Sequence, residues 1–307
     1  MLSEFENEAL VLKNRFLSSL AIAVIWLLGQ LPIRVAQALG RLLGRLAYGL
    51  NTRMCKITRC NIELCFPALS QSEKERFCQQ SLMETGALAV ETCVIWTKDK
   101  PTCAYISKIR NEHLVLNALS NDKGLLVLAP HLGNWEIVGH YLGKLGQTTN
   151  MYRPPKLNGL DKLIRGSRAK TGCKLVPTSA RGVAAMVKTL KNGNIAGLLP
   201  DQQPKDSNSG VFADFYGRPS LTMTLAGRLI QRSNCTAILC FAKRVSGGFE
   251  LIFEQPADDI YDADPKIAAT AMNTAIEKLI SHAPEQYQWD YKRFRATADG
   301  STTPYYN

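Results

Sequence analysis

The chain reads as an α/β protein: a three-layer sandwich on a mixed, mostly parallel sheet, with a membrane-anchoring helix at its N-terminus. Three observations predict this. Short apolar runs at Gly124–Pro130 and Asn194–Pro200 have the pattern of strands buried on both faces. Helical patterns alternate with them, and Thr236–Arg244 and Phe249–Glu254 flank Gly247-Gly248 as a hairpin. Finally, the 18 residues from Phe16 to Ile33 carry no charge and are bracketed by Arg15 and Arg34.

As a helix that uncharged stretch reaches about 27 Å, against a hydrocarbon thickness of about 30 Å. Gly29 and Pro32 weaken its last turn, which suits a tilted or interfacial anchor. A cleaved leader is the competing reading, with Lys13 and Arg15, then Leu20–Leu28, then Ala36-Gln37-Ala38. The odd count of nine cysteines and the acidic Glu4, Glu6 and Glu8 argue against export. Arg34, Arg41, Arg45, Arg53, Lys56 and Arg59 have no acidic residue among them, which predicts that the following domain stays cytoplasmic. Leu39, Leu42, Leu43, Leu46 and Leu50 recur at helical spacing with Arg41 and Arg45 on another face. Such a helix lies on an anionic leaflet or packs on the domain. We therefore divide the chain into an anchor and basic segment, 1–50, and a catalytic domain, 51–307; no linker composition or repeat period divides it further.

Ser70-x-x-Glu73 is a capping box opening a helix that runs to about Trp96. After the first buried strand come a helix from about Asn134 to Lys144, a strand near Thr148–Arg153 and a basic helix over Asn158–Thr171. Lys174–Pro177 reads as a short strand and Arg181–Lys191 as a helix. Past the second buried strand, Ser220–Arg232 has a helical pattern. Asp264 and Pro265 form an N-cap and first-turn pair, followed by the core stripe Ala268, Met272, Ala275, Ile276 and Leu279.

The net charge is +11, and residues 151–235 hold 14 Lys and Arg against four Asp and no Glu. This is either a solvated basic surface or, as its place after the first buried strand favours, a site for a multiply anionic partner: a phosphorylated glycolipid, an anionic membrane, an acidic carrier protein or nucleic acid. Nucleic acid ranks last, since no aromatic–basic alternation or nucleic-acid motif is present. The nine cysteines form no Cys-x-x-Cys pair and accompany no zinc spacing, so they read as reduced, partly buried thiols.

The chemistry concentrates in His131-Leu-Gly-Asn-Trp-Glu136, directly after the first buried strand. Five positions on a continuous helix turn about 500°, placing the two side chains on different faces. They meet only with His131 in the loop and Glu136 in the first helical turn. Gly133 and Asn134 supply that bend. A carboxylate holding one ring nitrogen frees the other as a base for a hydroxyl; the plainer alternative is a structural histidine at a sheet edge. His131, Arg153 and Asp201 each follow an expected strand, where chemistry collects in such sheets. A metal site through His140 is disfavoured, because His131 is out of helical phase and no His-Glu-x-x-His or Cys partner exists. A serine hydrolase is disfavoured by the absence of Gly-x-Ser-x-Gly.

Leu125–Glu136 resembles the His-x4-Asp/Glu block of the glycerolipid acyltransferase superfamily and, within it, the bacterial lipid A late (lauroyl/myristoyl) acyltransferases. Four further segments resemble that family in order: Asn61–Pro67, Met151–Pro155, Pro200-Asp-Gln-Gln203 and Pro284–Arg295. The likeness covers about residues 15–295. It implies a membrane-bound O-acyltransferase at the cytoplasmic face of a Gram-negative inner membrane. Its donor would be acyl carrier protein. Its acceptor would be a phosphorylated glycolipid, at a 3-hydroxyl of an acyl chain on a glucosamine-disaccharide lipid A precursor. No metal or organic cofactor is required.

The same resemblance assigns His131 as base and Glu136 as its orienting carboxylate. Arg153 holds the oxyanion or an acceptor phosphate, or else pairs with a carboxylate at a strand end. Asp201 and Gln202 orient an arginine or substrate, a turn role for Asp201 being the alternative. Lys156, Arg165 and Arg168, with Lys162 and Lys170, are candidates for lipid phosphates or an acidic carrier, and otherwise surface charges. Phe212, Phe215, Tyr216 and Leu221 either wall an acyl groove or pack as a loop, and Trp289–Arg295 would rest at headgroup level. Two other functions compete: acylation of a lysophospholipid or another glycolipid, and non-catalytic binding of anionic lipid.

Overall fold

The computed structural model describes residues 17–98, 102–121, 123–155 and 158–306. Four helices come first: α1 (17–29), α2 (Ile33–Gly49), α3 (Arg53–Cys65) and α4 (Gln71–Thr97). Alternation then begins with β1 (Ile106–Arg110), α5 (Glu112–Ser120), β2 (Leu125–Leu128), α6 (Trp135–Leu145), β3 (Thr148–Tyr152) and α7 (Asn158–Ala169). It continues through β4 (Lys174–Pro177), α8 (Ala180–Lys191), β5 (Ile195–Leu198), β6 (Gly210–Phe215), β7 (Arg218–Met223) and α9 (Leu225–Ser233). The long hairpin β8 (Thr236–Val245) and β9 (Gly248–Glu254) precedes α10 (Pro265–Ile280).

Seven strands form one sheet in the order β1-β9-β8-β2-β5-β3-β4. It is parallel from β8 to β4, while β9 runs antiparallel to β8 and β1 parallel to β9. This is the mixed, mostly parallel sheet the sequence predicts. The apolar run of β2 takes the centre because every one of its side chains is buried. Successive residues of a strand face opposite sides. Leu126 and Leu128 therefore join Leu190, Leu229 and Ile276 in one core, while Leu125 and Val127 join Val94, Val115 and Ile137 in the other. Helices cover both faces, which gives the three layers.

The expected capping box is present. Ser70 Oγ accepts from the Glu73 backbone N–H, and the Ser70 N–H donates to Glu73 Oε2 at 2.8 Å. α2 packs on α4 at backbone contact: a β-carbon on Gly86 would stand 2.1 Å from the Gly40 carbonyl oxygen. Its Ile33 and Ala36 enter the core, and its leucine face points outward, with Leu42, Leu43 and Leu46 exposed.

Three features differ from expectation. The uncharged N-terminal stretch is divided by a turn at residues 30–32, and Pro32 caps α2. Among the described residues no helix is long and apolar enough to cross a membrane. α1 instead lies against α7 and the end of α4: a β-carbon on Gly159 would sit 2.9 Å from Ile22 Cδ1, and one on Gly29 2.0 Å from Thr97 Oγ1. It leaves Leu20, Val24, Trp26 and Leu27 exposed.

The second difference is at Ser220–Arg232, which is not one helix. Its first residues belong to β7, paired antiparallel with β6, and the helix begins at Leu225. Tyr216 and Gly217 form the two-residue turn with φ of 50° and 69°, the left-handed backbone that such hairpin turns require. The third is β1 and α5, which close one edge of the sheet and have no counterpart in the sequence reading.

The α2–α4 contact sets a first test. Gly86→Ala places a methyl group against a backbone carbonyl and is expected to cost about 1–3 kcal/mol in thermal or urea unfolding. Gly49→Ala, with nothing within 4 Å, serves as the neutral control. Equal stability of the two variants would show that the close approach carries no packing energy.

Candidate active site

The site begins with the register of two strands. Leu128 of β2 is level with Leu198 of β5. Each strand ends in a proline-containing turn, and three residues past the level pair stand His131 and Asp201. The His131 backbone N–H donates to Asp201 Oδ2 at 2.9 Å and ring Nδ1 lies 2.8 Å from Oδ1. An ionised carboxylate only accepts, so Nδ1 carries a proton, and in the neutral ring Nε2 keeps the lone pair. The Gln202 amide Nε2 lies 3.2 Å from that nitrogen and donates to it. The Trp135 indole meets the imidazole edge-on at 4.8 Å. Burial alone would raise the Asp201 carboxyl; the His131 ring and its two N–H donors outweigh it and hold the group below the usual carboxylate range.

The loop carrying His131 is tightly specified. Gly133 has a φ of 59°, and a β-carbon there would lie 2.0 Å from the Ala242 carbonyl oxygen. Asn134 caps α6, its Oδ1 accepting from the Glu136 N–H at 3.1 Å. The C-terminal strap at 284–291 laces the loop from outside: Gln288 N–H donates to His131 O at 2.9 Å, and Gly133 N–H donates to Gln286 O at 3.1 Å.

The carboxylate on the imidazole is thus Asp201, which corrects the expected pairing with Glu136. Glu136 is buried in the first turn of α6 and faces α7. There Arg168 Nη2 and Nε donate to its two oxygens at 2.6 and 3.1 Å. The Arg168 guanidinium also lies over the Tyr152 ring, 5.3 Å from its centre, and Arg165 approaches the same ring at 4.8 Å while pairing with Asp161. Helical phase brings Glu136 close to the histidine loop. A bidentate guanidinium from the next helix then decides where it points.

A groove of about 960 Å³ opens at His131. Its walls are apolar, from Trp135, Met151, Ile164, Val183, Leu199 and Met223. Arg153 lines it, exposed and with no ion pair among the described residues. Arg228 and Arg232 on α9 also line it; sequence reasoning missed them, although their spacing of four after a strand puts them on one helix face. Lys156 lies outside the described residues. Phe215 and Leu221 do not wall the groove: Phe215 is fully buried against Tyr287 and Phe294. Among the described residues no cluster of three or more His, Cys, Asp or Glu could hold a metal ion. His140 is buried, with Nδ1 against the Thr102 hydroxyl.

The remaining motif segments build the strap behind the site. The Asn61 amide donates to the carbonyls of Trp289 and Tyr291 at 2.6 and 2.8 Å, and Phe66 meets the Trp289 ring at 5.4 Å. Gln203 is bonded through its N–H to the Tyr291 hydroxyl and through its amide to Arg293 O. Trp289, Arg293 and Phe294 are buried, so this segment is a core strap and not a headgroup anchor.

The site thus brings together a histidine held by a buried aspartate and a groove of apolar side chains edged with arginines. The family described as bacterial lipid A biosynthesis acyltransferase matches residues 2–296, and the chain belongs to that family. It is 28% identical to the lipid A biosynthesis lauroyltransferase of Escherichia coli (strain K12), over 97% of this chain and 98% of that protein. It is 29% identical to the palmitoleoyltransferase of the same organism, over 94% of each. A lipid A biosynthesis acyltransferase of Shigella flexneri matches to the same degree.

The buried aspartate makes stability depend on acid. A carboxyl held low in the folded chain contributes stability that is present above its unfolded value, about 3.9, and is lost as pH falls through the folded value. Melting curves taken below about pH 4 should therefore fall more steeply for the wild type than for Asp201→Asn. Parallel slopes would mean that the pairing carries no folding energy.

Proposed function

We propose that the protein transfers a fatty acyl group from acyl carrier protein to a hydroxyl of a lipid A precursor, with His131 as general base. The observation that carries this reading is His131, held through Nδ1 by Asp201 with Nε2 left for a substrate, at the mouth of an arginine-edged groove. Nε2 takes the proton of the acceptor hydroxyl as that oxygen attacks the thioester carbonyl. An oxygen–carbon bond forms, the adduct collapses, and the carbon–sulfur bond breaks. The proton on the imidazolium passes to the leaving thiolate, giving an ester and a free thiol. Asp201 holds the ring in the productive tautomer and stabilises the imidazolium. Gln202 yields its place on Nε2 to the acceptor hydroxyl.

Arg153 suits the developing oxyanion, and Arg228 and Arg232 suit phosphates of the acceptor. Glu136 acts on Arg168 instead of on the base. An unpaired guanidinium in that wall would repel a fatty tail; the bidentate carboxylate neutralises it. The exposed apolar faces of α1 and α2, flanked by exposed Arg34, Arg45 and Arg53, support a site at the cytoplasmic face of the inner membrane. α1 packs on α7, two of whose residues, Ile164 and Arg168, line the groove, so the exposed apolar surface and the groove share one helix.

Mass spectrometry of lipid A from cells with and without the protein tests the reading. One additional acyl chain of defined mass is expected with the wild type and is expected to be lost with His131→Ala at equal protein level. In membranes supplied with acyl carrier protein thioester, His131→Ala should lower the rate about 10²–10⁴-fold. An unchanged rate rejects His131 as base; acylation of lysophospholipid instead of lipid A rejects the acceptor. Glu136 and Arg168 are expected to behave as one unit. Glu136→Gln and Arg168→Met should each slow transfer, the double variant should be no worse than the poorer single, and the acid limb of the pH profile should stay where it is. A displaced acid limb in Glu136→Gln would return that carboxylate to the base.

A further inference from the structure

Beneath the base loop lies a buried ion cluster that the chemistry above does not use. Arg244, near the end of β8, and Glu91, on α4, have side chains 1% and 0% exposed. Arg244 Nε and Nη2 donate to Glu91 at 2.8 and 2.5 Å, and Nη1 donates to Glu84 at 2.7 Å. From α2, Arg41 Nε donates to the other Glu84 oxygen at 2.7 Å, and the Gln37 amide to Glu91 Oε2 at 3.3 Å. Two cations face two anions, so the cluster is neutral.

One further donor completes it. Asn134, three residues after the base, points Nδ2 at Glu91 Oε1 at 2.9 Å. Its Oδ1 is taken by the Glu136 N–H, and its own N–H by Ala242 O at 2.9 Å, two residues before Arg244. The cluster reaches the loop from the other side as well. The Gln286 amide holds both the N–H and the carbonyl of Arg244, at 2.8 and 3.0 Å, while the Gln286 backbone carbonyl holds Gly133.

We propose that the Glu84–Arg244–Glu91 cluster is a positioning device that sets the base loop through Asn134. Burying Arg244, Glu91 and most of Glu84 is a costly way to pack a helix on a sheet, since apolar side chains of the same volume do so at least as well. What charges add is direction. The Asn134 amide has one orientation that satisfies both ends, oxygen to the α6 cap and nitrogen to Glu91, so the loop has one register. A reacting nitrogen must be held to about 0.5 Å; Asp201 fixes the ring itself, and this amide fixes the following residues of the loop to the core. Gln37 and Arg41 extend the same hydrogen-bond network into α2, whose outer face carries the exposed leucines.

The kinetic arm of the test rests on the acyl-transfer reading; the exchange arm does not. In the full chain, Asn134→Ser keeps a capping oxygen but cannot reach Glu91, and Glu91→Gln keeps shape but removes charge. Each is expected to lower kcat about 10- to 100-fold, with KM for the thioester changing less than about twofold. The double variant should be no slower than the poorer single. Hydrogen exchange of the amides at 131–134 should rise about tenfold while β2 and β5 keep their protection. Unchanged exchange in the loop, or kcat losses that multiply in the double variant, overturns the proposal. Should Glu91→Gln fail to fold, Asn134→Ser carries both readouts alone, since its cap is intact. Loop exchange that rises in a protein whose wild type transfers no acyl group rejects the proposed function and leaves the positioning role standing.

Discussion

The parallel register of β2 and β5 is the constraint on which the rest depends. Leu128 opposite Leu198 puts His131 and Asp201 at one height above the sheet, each three residues on and each directly after a proline. A slip of one residue in either strand would send its core side chains to the wrong face. The apolar cores on both sides therefore hold the distance between these two polar groups. This is how a buried carboxylate becomes tolerable: Asp201 meets a ring N–H and a backbone N–H that arrive together on one rigid turn. The desolvation that would neutralise the acid is offset by donors the sheet has already placed.

Much of this was legible in the residues. The buried strands announce themselves as apolar runs, the capping box names the start of α4, and Asp264-Pro265 names the start of α10. The base loop is legible too, because Gly133 and Asn134 are the residues such a bend needs. The partner of the base is harder. Pro130-His131 and Pro200-Asp201 share one offset from their strands, yet two other strands intervene along the chain between β2 and β5. Only the sheet order shows that the two are neighbours. Glu136 misleads for the complementary reason: its phase on the helix is local information, whereas Arg168, which captures it, comes from another helix. The β6–β7 hairpin escapes because Tyr216 is an unusual residue for a left-handed turn position, and the apolar residues of β7 run on in phase with those of α9.

The sequence blocks that carry the resemblance to the family divide into two physical tasks. His131 and Asp201 form the pair at the groove. Asn61, Phe66, Trp289 and Arg293 never reach it; they fasten the C-terminal strap to α3 and to the hairpin. Through Gln286 and Gln288 that strap then fixes the outer side of the base loop. Motif membership by itself does not separate chemistry from fastening. Burial and hydrogen-bond partners do.

The charge of the groove is the last consequence of how these pieces are joined. The basic excess in residues 151–235 suggests an evenly cationic surface, but the folded chain sorts it. Arg165 and Arg168 are spent on Asp161 and Glu136, stacked on Tyr152, and so leave the groove wall beside them electrically quiet. Arg153, Arg228 and Arg232 have no ion pair among the described residues and stand at the groove as net charge. On the proposed function this division is what an amphiphile requires. A hydrocarbon chain loses nothing against a neutralised, aromatic-backed wall, whereas a phosphate gains most from guanidiniums with no other partner. The relatives named for lauroyl and palmitoleoyl transfer are almost equally similar overall. On the same proposal, discrimination between acyl lengths would fall to the apolar side chains of that wall, where one methylene is worth about 1–3 kcal/mol.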